Sequence, residues 1–342
     1  MCLRSILATV SDVVFAQSNR KVLHLEPPMQ LRRLLLFMLL IVSAVLPIGL
    51  RGESYLTPEG LLPPHRSTLV FGQKIVYYDA GTGPTLVLVH GFASQARFDW
   101  GKVIVPLSKH HRVIALDQIG FGGSDKPFID YSVQTYVDFL GEFLRTLRID
   151  RFDLAGESLG GWIVTNYTIQ ALAPANTGLF ALPKPTRLIL EDAAGHSALH
   201  SALKSIPITG TLDSAAGVAI VFHDKSLITP EFIRDNFIMK LKANDGMTER
   251  LFVGNPEVDK EIVGDKLASI TIPTLVVWGG DDQIVPLADG KDYAAKIPGA
   301  KLVIIPDCGF KTSFLQSIGT VLLPSGGVIL AVSWVVPLIE LS

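Results

Sequence analysis

The chain has 342 residues and a net charge of −2, with 48% hydrophobic and only 18% charged residues, against roughly 25% charged in ordinary soluble domains. No basic cluster runs along one face, so nucleic-acid binding has no support. The two cysteines, Cys2 and Cys308, are too far apart in sequence for a metal or redox motif, and two alone make no disulfide framework. No cofactor motif occurs, and neither a cofactor nor a metal is expected.

Residues 1–28 show no sustained period and contain Pro27-Pro28. Met29-Gln-Leu-Arg-Arg33 then leads into an uncharged apolar run, 34–50, closed by Arg51. Two arginines before such a run match the head of a secretory signal. Its 17 residues stand at the short limit for a membrane-spanning helix. A cleaved signal and an uncleaved N-terminal anchor are both open, and a buried soluble helix is the third reading. The basic residues ahead of the run favour export, with the following domain on the extracytoplasmic side. The abrupt change of character at Met29 suggests a start there, with 1–28 as an over-extension.

Residues 52–66 read as a Pro/Gly-rich linker. Beyond them strand-like and helix-like segments alternate, which predicts an α/β fold with a mostly parallel sheet. The strand candidates are 74–79, 85–89, 112–116, 151–155, 187–190, 274–278 and 301–305. Most are continuous apolar runs, as strands covered on both faces should be. A helical pattern covers 131–147. From 193 to 268 the rhythm breaks, with a mixed helical stretch over 230–251. An insertion of this kind, between strands, is expected to form a lid over the carboxyl edge of the sheet.

Gly156-Glu157-Ser158-Leu159-Gly160 lies between an apolar strand and an apolar helix. That context makes it a nucleophile elbow, a turn that strains the Ser backbone and presents the hydroxyl at the end of the sheet. His90-Gly91-Phe92 follows strand 85–89, so the N–H groups of Phe92 and Leu159 are the candidate oxyanion donors. His90 and Asp117 are expected to stabilise turns rather than act in catalysis. Asp282, in the turn after strand 274–278, is the candidate carboxylate for orienting an imidazole, favoured over Asp281, with Asp192 in reserve.

These motifs resemble the α/β-hydrolase superfamily, within it the lidded group of meta-cleavage-product hydrolases, small esterases and cofactor-free haloperoxidases. The carrying residues are His90-Gly91-Phe92, Asp117 through Pro127, Gly156 through Gly161, and Trp278-Gly279 through Asp282 and Pro286. The hydrolase-type domain spans 67–310. The resemblance implies an α/β-hydrolase fold and Ser-dependent cleavage of ester or C–C bonds in small, largely apolar substrates. Related dehalogenases and epoxide hydrolases use Asp as nucleophile, which Ser158 argues against. It also implies a catalytic His after the last strand, where this chain has Asp307-Cys308-Gly309-Phe310. No histidine follows Asp282; His196, His200 and His223 in the lid are remote substitutes. Without a base a serine hydroxyl is a weak nucleophile, so activity is expected to be impaired. A non-catalytic ligand-binding pseudo-hydrolase is the alternative.

After Lys311 no charge occurs until Glu340, where the family would place an amphipathic helix. A resemblance that stops within one residue suggests a change of reading frame or an altered splice at Gly309. The coding DNA read in its other two frames tests this. A second membrane segment is the lesser reading, because Pro324, Gly326 and Gly327 interrupt it. Restoring the histidine alone, as Phe310→His, is not expected to recover full function without the packing helix.

Overall fold

The computed structural model describes residues 59–196, 203 and 207–310, with two short backbone stretches at 321–322 and 328–329. The apolar run 34–50, the proposed signal or anchor, and nearly all of the tail 311–342 lie outside the described residues. Within the described residues no helix is long and apolar enough to cross a membrane.

Eight strands form one sheet: β1 (Arg66–Val70), β2 (Gln73–Ala80), β3 (Thr85–Val89), β4 (Arg112–Leu116), β5 (Phe152–Glu157), β6 (Arg187–Glu191), β7 (Thr274–Gly279) and β8 (Lys301–Ile305). Their order is β1-β2-β4-β3-β5-β6-β7-β8. The β1–β2 and β2–β4 pairs are antiparallel and every other pair is parallel. The central strands are apolar throughout because each has two faces to bury. Val87, Val89, Leu154 and Leu190 join one core cluster, while Leu86, Leu88, Ala155 and Ile189 join the cluster on the opposite face.

One strand was not expected. The linker reading ran to residue 66 with no strand before 74, yet β1 occupies Arg66–Val70. It is an edge strand, exposed along most of its length, and such a strand needs few apolar residues to form its single hydrogen-bonded ladder. Its composition therefore resembles a linker. The pair Val321–Leu322 and Val328–Ile329 forms a short antiparallel ladder in the tail.

Helices cover the sheet. α1 (Ala96–Leu107), α2 (Val133–Thr146), α3 (Leu159–Leu172) and α7 (Leu287–Lys296) belong to the strand–helix alternation, while α4 (Leu212–Ala216), α5 (Pro230–Ala243) and α6 (Gly246–Gly254) lie in the inserted segment. The stretch 230–251, expected to be mixed helical, is covered by two helices. Asn244 adopts a left-handed conformation (φ 53°) after α5, a common way to end a helix, and α6 begins two residues later.

The end of the insertion is stitched to the core by Glu261. Its carboxylate accepts from the backbone N–H of Val133 (2.7 Å) and Gln134 (2.8 Å) at the start of α2. Its carbonyl accepts from Trp162 Nε1 (2.9 Å) and Asn166 Nδ2 (3.0 Å) on α3. The carboxylate satisfies helix N–H groups that have no intrahelical acceptor and sits at the favourable end of the helix dipole. We predict that Glu261→Ala lowers the unfolding free energy by about 1–2 kcal/mol, measured by urea denaturation, with Glu261→Gln intermediate.

Candidate active site

β5 ends at Glu157 and α3 starts at Leu159, leaving Ser158 alone to make the turn. Its backbone sits at φ 53°, ψ −119°, a region that costs a non-glycine residue on the order of 1–3 kcal/mol. Neighbours hold it there. Ser158 N–H donates to the Glu191 carbonyl, and the Ser158 carbonyl accepts from Trp162 and Ala194 N–H, each at 3.0 Å. The flanking glycines are required by space. A Cβ on Gly160 would run into the carbonyls of Val89 and His90, and one on Gly156 into the Gly160–Gly161 backbone. Ser158 is 6% exposed.

The Ser158 side chain faces a cavity of about 120 Å³ between the sheet edge and the insertion. Phe92 from the β3 turn, Ile284 from the β7 turn and Val218, Val221 and Met239 from the insertion make its apolar walls. Phe310 lines the same cavity as Ser158, is 6% exposed, and belongs to the main core cluster. The position where the resemblance calls for histidine therefore lines the serine's cavity and carries a phenyl ring.

Asp282 lies in the turn after β7, buried. Its Oδ1 accepts from Ile284 N–H (2.7 Å) and Val285 N–H (2.9 Å). Its Oδ2 is buried, and the Asp192 carboxyl is a side-chain hydrogen-bond partner of the Asp282 carboxyl. Desolvation is the largest influence on this carboxyl and pushes it up to about 7, against the two backbone N–H bonds that favour the charged form. Asp192, the reserve acid, interacts with Asp282; it is fully buried and its Oδ1 accepts from Gly279 N–H at 2.8 Å. The two acids thus converge from adjacent strands β6 and β7.

The turn residues behave as expected. His90 Nε2 accepts from Gln118 N–H (2.9 Å) and its Nδ1 lies 2.8 Å from the Gly91 carbonyl, so both ring nitrogens serve the loop. Asp117 accepts from Ala96 N–H and Gly123 N–H, each at 2.8 Å. The two described lid histidines do not line the serine's cavity. His196 packs on Tyr293 and points at Asp289, Asp292 and Lys296. His223 lies 3.9 Å from Asp281 and outside the cavity lining. His200 lies outside the described residues. Among those described, no histidine lines the Ser158 cavity.

One part of the cavity wall was not legible in the sequence. Lys240 on α5 is buried and donates to Asp245 Oδ1 (2.7 Å), Glu249 Oε1 (2.6 Å) and the Ala93 carbonyl (3.0 Å). In sequence these charges read as a solvated helix face. The left-handed turn at Asn244 folds Asp245 and Glu249 back onto Lys240, and no periodic pattern signals that. Burial raises the Glu249 carboxyl above its usual range despite the Lys240 charge beside it.

The sequence from 86 to 310 matches the alpha/beta hydrolase family. This chain belongs to that family. It is 28% identical over 268 residues to a 2-hydroxy-6-oxo-6-(2'-aminophenyl)hexa-2,4-dienoic acid hydrolase of Metapseudomonas resinovorans, covering 70% of this chain and 81% of that one. It is 29% identical over 265 residues to a 2-hydroxy-6-oxo-2,4-heptadienoate hydrolase of Pseudomonas putida, covering 74% and 92%. A solved meta-cleavage product hydrolase from Pseudomonas fluorescens superposes with a TM-score of 0.66 at 25% identity, over 80% of this chain and 97% of that chain. By family the chain is a hydrolase, with named C–C hydrolases among its relatives.

Proposed function

We propose that Ser158 is the nucleophile of a hydrolytic centre for ester or C–C bonds in small, largely apolar substrates, and that Phe310 leaves this centre without its base. The observation that carries the reading is the shared cavity: Ser158 in its strained turn, with Phe310 on the same wall. In such a centre the hydroxyl oxygen adds to a substrate carbonyl and the resulting oxyanion is held by backbone N–H groups. Leu159 begins α3, so its N–H has no intrahelical acceptor. Phe92 lines the cavity from the opposite turn. The Asp282 carboxyl, placed in the turn after β7, suits an imidazole N–H when ionised, the role of the third member of a triad. Phenyl has no proton to donate and no lone pair to accept one. The relatives are named for dienoic acid substrates, and the apolar walls here agree with a carbon-rich ligand.

The test joins turnover with labelling. Hydrolysis of p-nitrophenyl acetate is expected at least ~10³-fold below that of a hydrolase with an intact triad, with the residual lost in Ser158→Ala. Labelling of Ser158 by a fluorophosphonate is expected to be correspondingly slow. Turnover at ordinary enzyme rates by the unmodified chain sinks the proposal of impairment. Residual turnover unchanged in Ser158→Ala sinks the assignment of the nucleophile. The second reading, a non-catalytic binder of apolar ligands, is favoured by the phenyl ring that completes the cavity wall, and predicts ligand binding with no turnover at all.

A further inference from the structure

The turn that carries Phe92 is held from two directions. Asp99 on α1 accepts from Gly91 N–H (2.8 Å) and from Ser94 Oγ (2.5 Å), which ties both ends of a two-residue apex, Phe92-Ala93. On the upstream side the Gly91 carbonyl lies 2.8 Å from His90 Nδ1. The downstream side is held from the insertion: Lys240 on α5 donates to the Ala93 carbonyl at 3.0 Å, across 147 residues of sequence. Ala93 needs such a hold. Its backbone sits at φ 55°, a left-handed conformation that a residue with a Cβ keeps only where its surroundings impose it. Phe92 and Ala93 both line the Ser158 cavity, and among the described residues the Phe92 N–H makes no hydrogen bond.

Lys240 is itself fixed in direction. Its Nζ donates to Asp245 Oδ1 (2.7 Å) and Glu249 Oε1 (2.6 Å), and these two carboxyls are hydrogen-bonded to each other. The three side chains are only 8%, 2% and 4% exposed. An ammonium group has three N–H donors, so two bonds to carboxyls and one to Ala93 leave it no other orientation. Breaking a buried group of this kind is costly, because it strands charge away from water.

We infer that Lys240 is a positioning residue of the Ser158 centre: it holds the Phe92-Ala93 apex so that the Phe92 N–H is presented to the cavity as an oxyanion donor. The inference rests on the reading of Ser158 as nucleophile and of the Phe92 N–H as donor, and adds the residue that aims it. A donor stabilises a developing oxyanion best when it is aimed before the charge appears. The core grips the apex through His90 and Asp99, and α5 grips it through Lys240. The oxyanion site is therefore complete only when the insertion is seated on the core. Lys240 acts here through the Ala93 carbonyl, while Met239 beside it contributes to the cavity wall.

Lys240→Met removes the donor and keeps the apolar stem. Where chemistry is slow, KM for p-nitrophenyl acetate reports binding, so kcat and KM separate aim from packing. In the full chain carrying Lys240→Met, kcat is expected to fall at least ~5-fold with KM changed less than ~2-fold. A smaller fall in kcat, or a fall matched by an equal rise in KM, overturns the inference, because a loosened cavity wall acts on binding. If Lys240→Met does not fold, Lys240→Met combined with Glu249→Gln, which removes a carboxyl left without its cation, carries the same test. Amide hydrogen exchange needs no variant. Residues 91–94 of the unmodified chain are expected to exchange at least ~10-fold more slowly than an unstructured peptide, and exchange at the unstructured rate overturns the hold on the apex. Residual turnover unchanged in Ser158→Ala removes the reading of the site, and this inference with it. Turnover that needs Ser158 and is indifferent to Lys240 overturns this inference alone.

Discussion

Phe310→His is expected to raise hydrolysis of p-nitrophenyl acetate by about 10²-fold, and the gain to vanish in the Phe310→His, Ser158→Ala double variant. General-base catalysis typically contributes ~10²–10⁴ in rate, and the low end is chosen for two reasons. The ring at 310 is seated on the Ser158 cavity and packed in the main core cluster, so a polar replacement gives up apolar burial there, on the order of 2–3 kcal/mol. Part of that is offset by a new bond to the buried Asp282 carboxyl, which now shares a hydrogen bond with Asp192; hydrogen bonds to charged groups contribute about 1.5–3 kcal/mol. The apolar sequence after Lys311 also lacks the amphipathic period of a packing helix. The sequence alone argued that a histidine by itself would not recover full function. The seating of residue 310 supports a partial gain. A folded Phe310→His variant with no rise in rate would show that the imidazole does not reach Ser158, and would refute the assigned geometry.

The second large effect concerns stability. Asp282 is a carboxyl group that burial pushes up to about 7, from the 3.8 of an exposed aspartate. The folded chain therefore binds this proton more tightly than the unfolded chain. Its contribution favours folding fully below pH about 4, and is lost progressively as pH rises through about 7. For a shift of this size the loss approaches about 4 kcal/mol, as an upper limit, because Asp192 interacts with the same group and shares in the titration. Asp282→Asn cannot ionise. It is expected to match the unmodified chain only at about pH 3.5, where both forms are protonated, and to exceed its unfolding free energy by about 2–4 kcal/mol at pH 8. Urea denaturation at both pH values measures this. An Asn variant less stable than the parent at pH 8 would refute it, and would mean that Asp282 is held as a carboxylate by a donor. In an intact triad the imidazole compensates this buried charge. On the function proposed above, this chain keeps the carboxylate with phenyl in place of the compensating group, which makes Asp282 a liability at alkaline pH.

Much of the fold was legible in the sequence because its determinants are local. Five apolar runs could only be strands covered on both faces, and the register splits each one between two core clusters. The Gly156–Gly160 spacing identified the strained serine because the two glycine positions meet backbone atoms that any Cβ would strike. His90 and Asp117 were readable as turn residues because each stands just past a strand end and has one partner in its own turn, Gly91 and Gly123; the second partner of each, Gln118 and Ala96, comes from the neighbouring loop. Phe310 stood out in the sequence because the motif around it is short and contiguous; that it replaces a catalytic histidine belongs to the proposed function. The edge strand β1 was not legible, since a strand bonded on one side needs little apolar sequence.

Three features were decided only by tertiary structure. Glu261 caps a helix more than a hundred residues earlier in the chain, and nothing near either residue announces the pairing. Asp192 and Asp282 come from different strands and meet because β6 and β7 are neighbours. Lys240, Asp245 and Glu249 look like solvated helical charges until the left-handed turn at Asn244 folds them onto one another against Ala93. Sequence carries the backbone requirements and the apolar period, because those act over a few residues. Which charges lose their water depends on what packs over them, and that is set by contacts between segments far apart in the chain.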